Sequence, residues 1–287
     1  MTSIQTAPTP PVVSLPDLVA VRTVLLPVRW RSADGDDELT SAEGNLGLMD
    51  VRFSPFNTWY RVSSFWEGDF LERTVPGAFK ATINAHNSAQ AEDAHRIRSM
   101  FNHGMDMQID QKLIGNVVRA SEEKDSPLLV VDVWDTTYNR DLLPGLRSGE
   151  YGASFMFSTI RDAWVYEPEK SDHNPDGLPE RTLQEVRTFE AGPVTWPASP
   201  TASAGMRCYS ATDAYYEALA RRDPPRVDGM RSRLLQLRTS SSPRAEGDLT
   251  RVQDDAATEQ QTAPASRHSG LTAAQRREVL YPSLRKG

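Results

Sequence analysis

Leu128-Leu129-Val130-Val131-Asp132-Val133-Trp134 is a β-branched, apolar run bounded by turn-forming residues, and it reads as a strand. Downstream, Gly149-Glu150-Tyr151-Gly152-Ala153-Ser154-Phe155-Met156-Phe157 opens a second, longer strand over 151–165, with a serine near its start. Working outward, residues 18–30 are dense in Val and Leu and predict another strand. Residues 46–70 are rich in aromatics and contribute more, with a turn at Phe53-Ser54-Pro55-Phe56-Asn57. Residues 114–119 alternate, and 182–196 complete the strand series before Pro197-Ala198-Ser199-Pro200. Helices are fewer. Pro76-Gly77-Ala78-Phe79 opens one that reaches about Asn87, because proline suits a first helical turn. Residues 139–147 form another, shortened or kinked by Pro144 and ended by Gly149. Two more are expected over 211–222 and 227–237, the second with Met230, Leu234, Leu235 and Leu237 on one side. The pattern predicts a β-rich α+β fold.

Hydrophobic residues make up 38% of the 287, below the usual globular share, so part of the chain is expected to stay outside the core. The expected organisation is a disordered leader over 1–16, one domain over 17–210, a helical segment over 211–238 and a low-complexity, flexible tail over 239–287. A short terminal helix is expected near 271–280. The net charge of −7 gives no general reason to expect nucleic-acid binding, although an acidic body carries a mildly basic tail. No apolar run is long enough to span a bilayer, and the Thr/Pro/Ser-rich start lacks the order of a signal peptide. The single cysteine, Cys208, excludes an internal disulfide and a multi-cysteine zinc site, and fits a reducing compartment.

Two side chains stand out. His103 lies in Ser99-Met100-Phe101-Asn102-His103-Gly104, at the end of an expected short strand over 97–103, and Ser154 opens the strand described above. A hydroxyl beside an imidazole is the minimum for a serine nucleophile. Each has a plain reading as well: a small residue tolerated in an apolar strand, and a turn histidine before a glycine. The window Gly152-Ala153-Ser154-Phe155-Met156 lacks Gly-x-Ser-x-Gly, which argues against an α/β-hydrolase elbow. His86 and His95 sit in polar surroundings and read as solvated. His173, with Asp172, Asn174 and Asp176, suggests a cation site, but such loops are ordinarily turns and the EF-hand spacing is missing. Trp59, Tyr60, Phe65, Trp66 and Phe70 read as core, with a peptide groove as the functional alternative.

The order of motifs is more specific than any one of them. Pro76-Gly77-Ala78-Phe79, His103, Ile114-Gly115, Ser154 and the Val194-x-x-Pro197-Ala198 segment, over residues 20–208, resemble the HK97-type prohead (capsid maturation) serine proteases of tailed bacteriophages. The resemblance implies an assemblin-like fold, a β-barrel core with surrounding helices. It implies Ser154 as nucleophile, His103 as general base and Glu190 as the group orienting the imidazole; on the residues alone, Glu185 and Asp132 are rival carboxylates. Arg161 or a backbone N–H is the candidate oxyanion donor. No metal or organic cofactor is implied. The implied substrates are scaffold, or the scaffolding extension of the major capsid protein, cut inside the assembling procapsid in the host cytoplasm, with self-cleavage and homo-oligomerisation as family expectations. Nucleic acid and membrane are not expected partners. Two other classes stay open: a catalytically inactive assembly or scaffold protein that keeps the fold, and a metal-dependent hydrolase built on His103 and His173.

Overall fold

The computed structural model describes residues 15, 17–31, 39–88, 96–195 and 211–240. Among the described residues nine strands and four helices follow in the order β1 (Ala20–Pro27), β2 (Arg29–Trp30), β3 (Gly47–Arg52), β4 (Tyr60–Ser64), β5 (Gly68–Thr74), α1 (Lys80–Asn87), β6 (Gly115–Glu122), β7 (Pro127–Val133), α2 (Thr137–Ser148), β8 (Gly152–Val165), β9 (Glu180–Val194), α3 (Ala211–Arg222) and α4 (Pro224–Ser240). The leader before Leu15, the tail beyond 240 with its expected helix, Cys208, His95 and the Pro197-Ala198 pair lie outside the described residues.

The apolar run that reads as a strand is β7, buried along its whole length. Alternate residues serve two clusters. Leu129, Val131 and Val133 join the main core, and Leu128 and Val130 pack with Leu48 and Leu39 on the other face. The strands make two sheets, in the orders β1-β8-β9-β5-β4 and β2-β3-β7-β6. Both send side chains into the main core: Phe155, Phe157 and Phe70 from the first, Met49, Val51 and Val131 from the second. Phe53 and Phe79 sit against Phe155 at ring-centroid distances of 5.1 and 5.8 Å. A fully buried phenylalanine is worth about 1.5–3 kcal/mol, so this aromatic group is a main contributor to holding the sheets together.

The architecture is thus α+β as expected, but among the described residues the two sheets do not close into a barrel. β1 leaves the first sheet at Pro27, after a register shift beyond Val24, and the two-residue β2 continues into the second sheet. Pro27 has no N–H with which to carry a ladder onward, and edge strands β4 and β6 pair with no common partner. The helix expected from Pro76 also differs. Residues 76–79 form a turn, with Gly77 at φ +94°, and α1 starts at Lys80. A left-handed residue cannot continue a right-handed helix. The Glu122 carboxylate of β6 instead accepts the N–H groups of Gly77 and Phe79 at 2.9 and 2.8 Å. α2 passes through Pro144 and ends at the left-handed Gly149, with Thr136 capping its start by accepting the Asn139 N–H.

α3 and α4 form a second small core. Tyr216, Val227, Met230 and Leu234 pack with Leu15, Leu18 and Trp66. Asp223 caps α4 through the Arg226 N–H, ahead of prolines at its first turn. The aromatic residues of 59–70 serve the cores: Tyr60, Trp66 and Phe70 are buried, and Trp59 stacks on His173.

His86, expected to be solvated, is buried in α1. Its Nδ1 accepts the Ile97 N–H at 3.1 Å, which requires a neutral ring at that nitrogen. Burial pushes its pKa below 6.5, with Arg96 and Arg98 adding to the effect and a hydrogen bond to the Val117 backbone opposing it. The unfolded chain therefore binds the proton more readily than the folded one. Stability from this group is present above about pH 6.5 and declines as pH falls toward the lowered folded value. The melting temperature of the wild type should drop more between pH 7.5 and 5 than that of His86→Asn, which keeps an acceptor but cannot titrate. Parallel pH profiles for the two would refute the assignment.

Candidate active site

Three adjacent strands set the positions of the site. Thr23 of β1 lies opposite Ser154 of β8, Ser154 lies opposite Gly192 of β9, and Met156 lies opposite Glu190. Directly paired residues share a face, and a strand returns to it every second residue. Thr23, Ser154 and Glu190 therefore point to one side of the sheet, while Ala153, Phe155, Phe157 and Ala191 face the core.

His103 reaches that side from a separate segment. The expected strand over 97–103 is absent. Arg98 bridges β9 at Glu190, Met100 bridges Leu113, and Phe101–Gly104 is a single 3-10 turn. Asn102 and His103 are left-handed, at φ 48° and 58°. Each such residue costs roughly 1–2 kcal/mol, although Asn and His tolerate the region better than most. Bonds from distant residues offset that cost. The Asn102 side chain is locked to Thr195, accepting its N–H at 3.0 Å and donating to its hydroxyl at 3.1 Å. Arg222 donates to the Gly104 carbonyl at 2.8 Å. The Met100 N–H donates to Glu190 Oε1 at 3.2 Å.

This segment can approach β9 only because residue 192 is glycine. A Cβ there would stand 2.2 Å from the Met100 carbonyl oxygen and 2.9 Å from Glu190 Oε1. Both close contacts are with groups that place His103.

The side chains then meet in a line. His103 Nε2 is 2.6 Å from Ser154 Oγ, and His103 Nδ1 is 2.5 Å from Glu190 Oε2. A carboxylate at Glu190 accepts only, so it selects the tautomer with the proton on Nδ1 and leaves the Nε2 lone pair aimed at the serine. Ser154 is fully buried. Its Oγ also lies 3.0 Å from Thr23 Oγ1 and 2.9 Å from the Arg22 carbonyl. The hydroxyl has one proton and three acceptors within reach: the imidazole, that carbonyl and the Thr23 hydroxyl, which can instead donate to it. A cleft of about 340 Å³ opens beside the line, bordered by His103, Thr23, Asn102 and Thr195.

The rival carboxylates are elsewhere. Asp132 accepts from the Ser41 hydroxyl, the Ala42 N–H and the Asn45 amide and so pins the 41–45 loop. Glu185 faces Arg161 at 3.9 Å, and both stand at the solvent surface. Arg161 is seven residues along β8 from Ser154, roughly 23 Å, and is no oxyanion donor for it. His173 sits at the far end of the β8–β9 hairpin, bonded to Ser171 and Glu180. Among the described residues no group of three or more His, Cys, Asp or Glu could hold a metal ion. Thr23, Asn102 and Arg222 went unnoticed in the sequence. Only Thr23 carried a signal, as the one hydroxyl in an otherwise apolar strand run beside Arg22.

Gly192→Ala should force Met100 away from β9 and lower stability by about 1–3 kcal/mol, the usual cost of overpacking against backbone. Chemical denaturation of the two proteins measures it, and equal stability would show that the segment is free to move.

Residues 41–215, more than half of the chain, match the family described as caudovirus prohead serine protease. No curated protein and no solved structure matches the chain. The match spans β3 to the start of α3 and includes His103, Ser154 and Glu190. On this basis the chain belongs to the prohead serine proteases of tailed phages, a family whose activity is capsid maturation.

Proposed function

We propose that this chain is the endopeptidase that removes scaffold, or the scaffolding extension of the major capsid protein, inside the assembling procapsid in the host cytoplasm. Ser154 is its nucleophile, His103 its general base and Glu190 the group that orients the imidazole. The observation that carries this reading is the unbroken line of hydrogen bonds, 2.6 Å from Ser154 to His103 and 2.5 Å from His103 to Glu190. The protease domain runs from 17 to 210, followed by the helical segment to 238 and the tail to 287. No helix of the described residues is long and apolar enough to cross a membrane. The reading needs no nucleic-acid, membrane or cofactor partner, extends to cleavage of the chain itself, and leaves self-association as a route to activation.

The chemistry follows from the geometry. Ser154 Oγ attacks the scissile carbonyl carbon while its proton passes to His103 Nε2. The imidazolium keeps its Nδ1 proton, donating it as a hydrogen bond to the Glu190 carboxylate, then gives the Nε2 proton to the leaving amine as the C–N bond breaks. Water, deprotonated by the same nitrogen, hydrolyses the acyl-serine and restores the hydroxyl. Two conditions precede attack. The serine proton must turn from the Arg22 carbonyl to His103, and the buried Oγ must be uncovered on the Thr23 side, where the cleft lies. Thr23 is then the hydroxyl best placed to donate to the developing oxyanion.

Co-expression with the capsid protein tests the assignment. Ser154→Ala should abolish capsid-protein shortening, and kcat on a cleaved peptide should fall roughly 10⁴-fold or more. Persistent cleavage by Ser154→Ala would sink the reading in favour of an inactive assembly protein contaminated by another protease, or of a different nucleophile. Glu190→Gln addresses the third member separately. It presents an amide where a carboxylate stood, loses control of the tautomer, and should lower kcat by roughly 10²- to 10⁴-fold while leaving KM within a few-fold. A Glu190→Gln enzyme with unchanged kcat would remove Glu190 from the mechanism.

A further inference from the structure

α3 forms one wall of the cleft beside His103. Ala211, Ala214 and Ala218 recur at i, i+3 and i+7, so they share one helix face, and that face lines the cleft. Val21, Met105 and Val194 supply further apolar lining. Tyr215 also borders it, and burial raises its phenol pKa, with Glu190 adding and Arg226 opposing, so it stays uncharged near neutral pH. Among the described residues no Asp, Glu, Lys or Arg lines the cleft. Two of its polar side chains are already engaged, Asn102 with Thr195 and Thr23 with Ser154.

The wall is held in place at both ends. Thr212 Oγ1 accepts the Val21 N–H and the Tyr216 hydroxyl accepts the Val19 N–H, both at 3.0 Å, which docks α3 on the edge of β1. At the other end Arg222 donates to Gly104, next to His103, and pairs with Asp110 at 2.9 Å. Alanines on a helix are often no more than good helix formers. Here one of them, Ala214, keeps its side chain exposed to the cleft in a helix tied to both Thr23's strand and His103's turn.

We propose that this cleft receives the substrate side chain next to the scissile bond, that it selects an uncharged, apolar side chain, and that the alanine face of α3 sets its size. The proposal rests on the catalytic reading of Ser154, His103 and Glu190. A charged side chain entering this lining would lose part of its water and find no carboxylate, ammonium or guanidinium to pair with, whereas each methylene of an apolar one gains by leaving water. A single methylene in such a pocket discriminates by roughly 10- to 200-fold in kcat/KM.

The test digests a proteome-derived peptide library with wild type, Ala214→Leu and Ala214→Gly, with Ser154→Ala as the blank, and reads the cleaved bonds by mass spectrometry. The wild type should show Val, Leu, Ile, Met or Phe at one fixed position beside the cleaved bond, and depletion of Asp, Glu, Lys and Arg there. Ala214→Leu should shift that position toward Gly, Ala and Ser, with kcat/KM for a leucine-bearing peptide down roughly 10-fold or more. Ala214→Gly should admit bulkier residues, so a fold defect in one variant cannot mimic both shifts. Cleavage that depends on Ser154 but shows a charged residue, or the same profile in all three enzymes, overturns the pocket and leaves the nucleophile standing. Absence of any Ser154-dependent cleavage overturns the catalytic reading, and the pocket with it.

Discussion

The pairing of β8 with β9 is the constraint on which the site depends. Its register places Ser154 opposite Gly192, with Glu190 one alternation further along on the same face. The missing side chain at 192 then leaves room for the Met100 backbone. Through that gap a segment with little regular structure is laid against the sheet, and its turn presents His103 between the serine and the glutamate. A one-residue slip of β8 would turn Ser154 into the core, away from Glu190 and His103, and carry Phe155 to the opposite face. Apolar packing therefore enforces the polar geometry.

A second polar group stiffens the same strands from behind. Arg22 is fully buried and bonded to Glu67 and Glu72, while Arg181 reaches Glu72 and Asp162. Burial alone would push the Arg22 pKa down, yet Glu67 and Glu72 outweigh it and hold it above its ordinary value. Burial would likewise raise Glu72, and Arg22 and Arg181 outweigh it to hold the carboxyl low. Thr212 of α3 joins the group through Glu67 and Arg22. Losing one partner would strand a buried charge, which is why such a network specifies one arrangement even where its net contribution to stability is small. Arg22 also offers its carbonyl to Ser154. The strand that anchors the charge network thereby touches the proposed nucleophile.

Much of the fold was legible because it is written in short-range patterns. The apolar runs at 128–134 and 151–165 are strands because their own residues prefer extended, buried backbone, and Thr136 and Gly149 bound α2 by local capping. The failures share a cause. The stretch 97–103 has the apolar content of a strand, yet bonds from Glu190, Thr195 and Arg222 bend it into a left-handed turn. Pro76 looked like a helix start, but Gly77 and the Glu122 carboxylate make a turn of it. The barrel came from family likeness, and whether two sheets close is settled by how their edges meet.

By its own patterns the sequence determined the strand carrying Ser154, the short list of polar side chains able to do chemistry, and the absence of a hydrolase elbow. Family likeness added Glu190, which no local pattern marked. Only the tertiary structure decided that His103 stands between residues 51 and 87 positions away, that Glu185 and Asp132 are engaged elsewhere, and that the alanines of α3 border a cleft. The physical reason is range. Backbone preference and hydrophobic period act over a few residues, whereas a hydrogen bond of 2.6 Å between distant residues exists only once packing has set both backbones to within a fraction of an ångström.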